Sequence, residues 1–178
     1  MAHARDIKLI ISDVDGVWTD GKIIYGGERT EIKEFNVRDG LAAKLAQRAG
    51  VAVALLTSRR SHAVERRARE LGIVELHQGA PDKLEETQRI ATRLGLSLGE
   101  ILYAGDDLPD LAPMTRVAIS AAPSDAAAEV RAVATWKLES AGGAGAFREL
   151  VERLLRERGE WDTLVRELSD GKSAASSI

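Results

Sequence analysis

The chain has no cysteine. That removes disulfides and thiolate metal sites, and it fits a reducing compartment. Nor is there an excess of positive charge, since Lys and Arg total 25 against 28 Asp and Glu, a formal net charge of -3. Nothing in that balance favours a nucleic-acid partner. No apolar run approaches the ~20 residues that cross a bilayer. The first six residues lack the apolar core of a secretory signal. The three histidines, His3, His62 and His77, are scattered and suggest no metal cluster. These absences leave a cytoplasmic enzyme or binding domain with no nucleic-acid or membrane partner as the expectation.

What is present is a globular balance, 44% hydrophobic and 30% charged over 178 residues, enough for one domain with a full core. Short β-branched runs alternate with longer amphipathic stretches. Residues 7–12, 51–56, 73–77 and 100–104 read as strands, with weaker strand signals at 117–120 and 132–136. Residues 40–49, 61–71, 82–94 and 146–158 read as helices; Gly50, Gly72 and Gly95 follow three of them as stops. Residues 22–25 and 31–35 flank Gly26 and Gly27 and read as a β-hairpin, with the glycines at the turn. Alternation of strand and helix predicts an α/β fold, a doubly wound parallel sheet with helices on both faces. In such a sheet ligands bind beyond the carboxyl ends of the strands.

The strand ends carry a particular set of groups. Asp13 and Asp15 follow the first strand, Thr57 and Ser58 follow 51–56, and Asp106 and Asp107 follow 100–104. Lys83 opens the helix after 73–77. Each has a bland reading alone: a calcium loop, a helix cap, a solvated lysine. The calcium reading fails because the twelfth position from Asp13 is Ile24, not glutamate. Taken together the set suits phosphoryl transfer. A carboxylate attacks phosphorus only when the approaching negative charges are neutralised. A lysine and a magnesium ion on oxygen ligands supply that, and a hydroxyl binds phosphate oxygens. Asp13 is the expected nucleophile, forming an aspartyl-phosphate, and Asp15 the group that moves protons.

These residues resemble the motifs of the haloacid dehalogenase superfamily: Asp13-Val14-Asp15-Gly16-Val17 the first, Thr57 the second, Lys83 the third, and the run from Gly105 through Asp107 to Asp110 the fourth. Three longer segments are similar to the 3-deoxy-D-manno-octulosonate 8-phosphate phosphatase family. They are the opening run from Asp13 to Gly21, the run Phe35-Asn36-Val37-Arg38-Asp39-Gly40, and Ala141-Gly142-Gly143-Ala144-Gly145-Ala146. The resemblance implies a Rossmann-like core and a magnesium-dependent phosphatase of a small phosphorylated sugar acid, working as a homotetramer. It implies magnesium held by the Asp13 and Asp106 side chains and the Asp15 backbone carbonyl. It also implies a substrate site lined by Asp15, Asn36, Val37, Arg38, Asp39, Gly40, Lys44, Arg59, Arg67 and Lys83, with Asp107 and Asp110 supporting from behind. Ser58, Lys44 and Ala144 depart from the family, which usually has glycine, often arginine and usually arginine there. A phosphatase for a related acid such as a sialic acid 9-phosphate, or a non-catalytic oligomerisation domain on this scaffold, are the alternative readings.

The motif spacing leaves no room for a lid domain between motifs. A single capless domain is therefore expected, with its core over 7–158, a hairpin over 20–36 and a mobile tail over 170–178. Ile23, Ile24 and Ile32 of the hairpin have no obvious cover in a small monomer, which favours oligomerisation. Arg59 and Arg67, eight residues apart, are expected on one helix face and suit an anion. Trp18 is read as either a substrate contact or a packing residue, and Trp136 and Trp161 as packing or surface residues.

Overall fold

The computed structural model describes residues 4–27 and 30–171. The strands β1 (Leu9–Ser12), β4 (Ala52–Thr57), β5 (Glu75–Gln78), β6 (Ile101–Ala104), β7 (Ile119–Ala122) and β8 (Trp136–Lys137) form one sheet. Its order is β5-β4-β1-β6-β7-β8, and every pairing is parallel. From β1 the chain winds outward through β4 and β5 on one side, and through β6, β7 and β8 on the other. The winding therefore reverses beside β1, the place where such sheets open a crevice at their carboxyl edge.

Both faces of the sheet are covered, which is why its central strands are apolar throughout rather than alternating. Ile10, Val53, Leu55 and Leu102 point into one core, shared with α1 (Val37–Arg48), α2 (His62–Glu70), α6 (Ala146–Arg158) and α7 (Trp161–Ser169). Leu9, Ile11, Ala54, Leu56 and Tyr103 point into the other, shared with α3 (Lys83–Leu94), α4 (Leu111–Met114) and α5 (Ala128–Val133). Ala42, Ala43 and Ala46 give α1 a narrow face on which Phe147, Leu150 and Leu154 of α6 pack. Each such large side chain contributes on the order of 2 kcal/mol of burial free energy.

The helix ends follow local rules. The Asp82 carboxylate accepts from the Leu84 and Glu85 amides to start α3, and Gly95 stops it in the left-handed region at φ 66°. Asn36 caps α1 by accepting from the Arg38 amide at 2.9 Å. α6 is different. Its N-cap is Gly145, which has no side chain to offer. Asp39, from α1, takes the role at long range and accepts from the Arg148 amide at 2.7 Å. Expected at the substrate site, Asp39 is instead fully buried between the two helices.

Burial raises the Asp39 carboxyl to about 6 from the ordinary 3.8, against the opposing pull of the Arg148 amide and the Arg148 and Arg67 charges. The folded chain therefore holds this proton more tightly than the unfolded one. The contribution is full below pH ~3.8 and is lost as pH rises through about 6, a change on the order of 3 kcal/mol. Asn caps a helix as well as Asp does and carries no such dependence. Asp39→Asn should thus gain stability relative to the parent chain between pH 5 and pH 8. Urea melts at the two pH values measure it, and a difference that shrinks or stays flat refutes it.

Three sequence expectations change. Residues 132–136 were read as a strand, yet α5 runs to Val133 and the strand is only Trp136–Lys137. The β-branched Val133 and Thr135 suggested a strand. The helix forms because Val130 and its turn pack on the second core. α7 was not anticipated. It is short and charged, and it is tied down by burial of Trp161 and Leu164 and by the Arg148 guanidinium 4.7 Å from the Trp161 ring centroid. The hairpin exists, as β2 (Ile24–Gly27) paired with β3 (Thr30–Ile32), but Gly26 and Gly27 lie in β2, not at its turn. A Cβ at Gly26 would stand 2.8 Å from Ile32 Cδ1, so glycine is what lets that side chain cross the hairpin. Ile23, Ile24 and Ile32 are exposed. No helix among the described residues is long and apolar enough to cross a membrane. The tail expected over 170–178 falls outside the described residues from 172 onward.

Candidate active site

The carboxyl ends of β1, β4 and β6 meet in a cleft of about 240 Å³, lined by Asp13, Asp15, Thr57, Ser58, Arg59, Lys83, Asp106, Asp107 and Asp110 among others. Asp13 leaves β1 still bound to the sheet, its amide donating to Ala104 O at 2.9 Å. The Val14 amide donates to Asp13 Oδ1 at 2.7 Å. Lys83 lies on the first turn of α3, and its ammonium bridges Asp13 Oδ2 and Asp110 Oδ1, both at 2.8 Å. Burial alone would lower its pKa, but the charges of Asp13 and Asp110 outweigh that and raise it.

Asp110 organises this end of the site. Its Oδ1 also accepts the Tyr103 hydroxyl at 2.7 Å, and its Oδ2 lies 3.3 Å from the Asp106 amide and 3.4 Å from that of Asp107. It is completely buried, with both oxygens engaged. Asp106 is the opposite case: its Oδ1 is buried with no hydrogen-bond partner. Asp13, Asp106 and Asp110 each place an oxygen within 4.8 Å of the others. Burial first, then the charges of Asp13 and Asp110, push Asp106 up to about 8; burial, then Asp110, pushes Asp13 up to about 6 despite Lys83. Negative charge here exceeds what Lys83 balances. A hard divalent cation on carboxylate oxygens suits the surplus. With Asp110 saturated, Asp13 and Asp106 are the side chains that would hold magnesium.

Glycines bring this loop together. Gly16, at φ 93°, lies so close to the Asp106 carboxylate that a Cβ would overlap it. Gly142 packs in turn on the Gly16 carbonyl, and the Gly143 amide donates to Val17 O at 3.0 Å. The glycine-rich segment thus braces the loop that follows Asp13 from outside. Trp18 is buried: its Nε1 donates to Ser12 Oγ at 3.1 Å, and its ring packs on Phe147 at 4.3 Å between centroids. Of its two readings, packing holds.

Among the expected substrate residues, Arg59 is at the cleft, its Nη2 on Glu31 Oε2 at 2.7 Å. Asn36 and Val37 line a neighbouring hollow of about 430 Å³ with Asp20, Glu34, Phe35 and Gly142 to Ala144. Asn36 Nδ2 donates to Gly143 O at 3.3 Å there. Arg38 is exposed and Lys44 half-buried, outside both hollows. Arg67 does not share a face with Arg59, because α2 begins only at His62 and residue 59 precedes it in an irregular turn. Arg67 lies across Gly40, where a Cβ would collide with its guanidinium, and Nη1 is 3.4 Å from Glu70 Oε2. Gly40 therefore serves this packing. Thr57 is buried, and its hydroxyl accepts from the Arg59 amide at 3.2 Å. Asp107 is exposed and accepts from the Leu108 amide at 2.8 Å.

Two residues of the site escaped sequence reasoning. Tyr103 was hidden in an apolar strand, though it sits one residue before that strand's end. Lys33 places its ammonium on Asp15 Oδ1 and on Glu31 Oε1. The spacing of Glu31 and Lys33, two apart, put them on one side of an extended chain and was the available signal. Asp15 and Glu31 more than offset burial and raise the Lys33 pKa.

A parallel doubly wound sheet that converges a buried aspartate, a lysine and a second acidic loop on its switch point defines the haloacid dehalogenase superfamily of phosphoryl-transfer enzymes. No protein-family model matches the chain, but individual relatives do. It is 40% identical over 162 residues to the 3-deoxy-D-manno-octulosonate 8-phosphate phosphatase KdsC of Salmonella typhi, covering 91% of this chain and 86% of that protein. The phosphatase of the same name from Moraxella catarrhalis, solved in complex with magnesium ion, phosphate ion and a KDO molecule, has a TM-score of 0.90 at 38% identity. That match covers 93% of this chain and 95% of the other. The cobalt-bound deoxy-D-mannose-octulosonate 8-phosphate phosphatase of Haemophilus influenzae has a TM-score of 0.87 at 35% identity, over 90% and 94% of the two chains. The chain belongs to the 3-deoxy-D-manno-octulosonate 8-phosphate phosphatase family.

Proposed function

We infer that this chain hydrolyses 3-deoxy-D-manno-octulosonate 8-phosphate to the free sugar acid and phosphate, in a magnesium-dependent reaction through an aspartyl-phosphate. The observation that carries it is the Lys83 ammonium locked between Asp13 and Asp110, beside the buried, unpartnered Asp106 Oδ1. Asp13 attacks phosphorus and the bond from phosphorus to the sugar oxygen breaks. Asp15 gives that oxygen a proton. Asp15 then takes a proton from water as the water attacks phosphorus, the bond to Asp13 breaks, and phosphate leaves. Lys83 and the Thr57 hydroxyl serve the phosphate oxygens. Magnesium on Asp13, Asp106 and the Asp15 carbonyl would neutralise charge between the carboxylate and the phosphate.

With no lid between the motifs, a neighbouring subunit is the source of cover for the sugar. Exposure of Ile23, Ile24, Tyr25 and Ile32 on the hairpin supports that, and a homotetramer is the assembly we favour. The absence of cysteine supports a cytoplasmic setting. The test is phosphate release from a panel of sugar-acid phosphates, with magnesium and with chelator. Release from the octulosonate ester is expected, falling to background on chelation. Preference for a sialic acid 9-phosphate would replace the substrate, and no release from any ester would remove the enzyme reading.

A further inference from the structure

The hairpin reaches the cleft through one buried charge. The Lys33 side chain is 1% exposed, and its Nζ meets Asp15 Oδ1 and, at 2.8 Å, Glu31 Oε1. The other oxygen of Glu31 holds Arg59 Nη2 at 2.7 Å. Asp15 Oδ2 is buried without a hydrogen-bond partner, and the nearest cation beyond Lys33 is Arg59 Nε at 3.9 Å. One oxygen of the proton-transfer carboxyl is therefore fixed by an ammonium, and the other is left for chemistry. Taking an ammonium out of water is costly. Pairing of β2 with β3 already closes the hairpin without it.

We propose that Lys33 is a positioning residue for the reaction, holding Asp15 Oδ1 so that Oδ2 carries the proton to the leaving alkoxide. This rests on the phosphatase reading above. In the step concerned, the bond from Asp13 to phosphorus forms as the bond from phosphorus to the substrate oxygen breaks. The electron pair passes to that oxygen, and the proton on Oδ2 moves onto it. Lys33 itself is neither acid nor base. Without it, Asp15 swings toward the more mobile Arg59, whose side chain is 41% exposed, and Oδ2 loses its aim.

The leaving group tells this role from a structural one. Nitrophenolate departs without protonation, whereas an alkoxide needs a proton in the transition state. kcat/KM reports only steps up to departure, so the later base role of Asp15 does not enter. The two substrates are p-nitrophenyl phosphate and glycerol phosphate, neither with a sugar-acid carboxylate. In Lys33→Met the ratio of the first kcat/KM to the second should rise ~10–100-fold over the parent chain. Asp15→Asn should shift the ratio the same way, and combining the two changes should add nothing further. An unchanged ratio, with both substrates losing equally or neither losing, overturns the proposal. If Lys33→Met lacks a cooperative melt, the ratio is read in Lys33→Met combined with Glu31→Gln, which removes the carboxylate left without its ammonium at the hairpin base. An unchanged ratio there overturns it equally. Failure of the parent chain to release phosphate from these two esters and from every sugar-acid phosphate of the panel overturns the phosphatase reading itself, a result distinct from equal losses in an active enzyme.

Discussion

Asp13→Asn is expected to reduce phosphate release to background, a loss on the order of 10⁴-fold or more, while leaving the fold intact. An amide oxygen is too poor a nucleophile to displace an alkoxide from phosphorus. The variant is otherwise close to isosteric. The side chain is nearly buried, its Oδ1 accepts from the Val14 amide at 2.7 Å, and an asparagine oxygen can do the same. Lys83 loses one carboxylate partner but keeps Asp110 at 2.8 Å. Burial and Asp110 already push the Asp13 carboxyl up to about 6, so above that pH a neutral side chain removes a desolvated charge. Stability in neutral buffer should therefore be unchanged or slightly higher. Steady-state phosphate release and a thermal melt check the two halves together. Residual turnover near the parent rate would take the nucleophile's role from Asp13.

Asp110→Ala should produce the largest stability loss, with activity falling alongside it. Lys83 and Tyr103 are both buried and both bond Asp110 Oδ1. Removing the shared acceptor leaves the hydroxyl unsatisfied and the ammonium with Asp13 alone. A buried donor left without its acceptor costs about 1–3 kcal/mol, and Asp110 serves the Tyr103 hydroxyl and the Asp106 and Asp107 amides, so the loss is about 3–5 kcal/mol in all. For a chain of this size that lowers Tm by about 10 °C. Lys83 would also lose the aim that sets it against Asp13, so kcat falls with stability. Asp107→Ala is the control. Asp107 is exposed, and its cap on the Leu108 amide accounts for about 1 kcal/mol. Equal melts for the two variants would show that Asp110 does not bracket the site.

These two aspartates show how unevenly the site could be read beforehand. Asp13, Asp106, Thr57 and Lys83 were legible because each follows or opens an element whose apolar run marks a strand end, and strand ends of a parallel sheet gather on one edge. The strands β1, β4 and β6 were legible because they are buried on both faces, which writes them as continuous apolar runs. β8 was legible only with bounds set too early, at 132–136, because two residues at a sheet edge leave no periodicity, and α7 was not legible because it depends on Trp161 docking rather than on its own helix propensity.

The chain's order of residues by itself determined that acids, a hydroxyl and a lysine stand at one edge of a doubly wound sheet, and that their chemistry is phosphoryl transfer. Those facts follow from local spacing and from the one-sided geometry of parallel strands. Tertiary structure decided how the charges are shared. It made Asp110, not Asp107, the saturated bracket of Lys83 and Tyr103, and it left Asp106 with a free oxygen. It drew Asp39 away from the cleft to cap α6, and it placed Lys33 on Asp15. Each of these is a contact between residues distant in sequence or outside regular elements. Such a contact depends on where folded elements come to rest, and no local pattern encodes it.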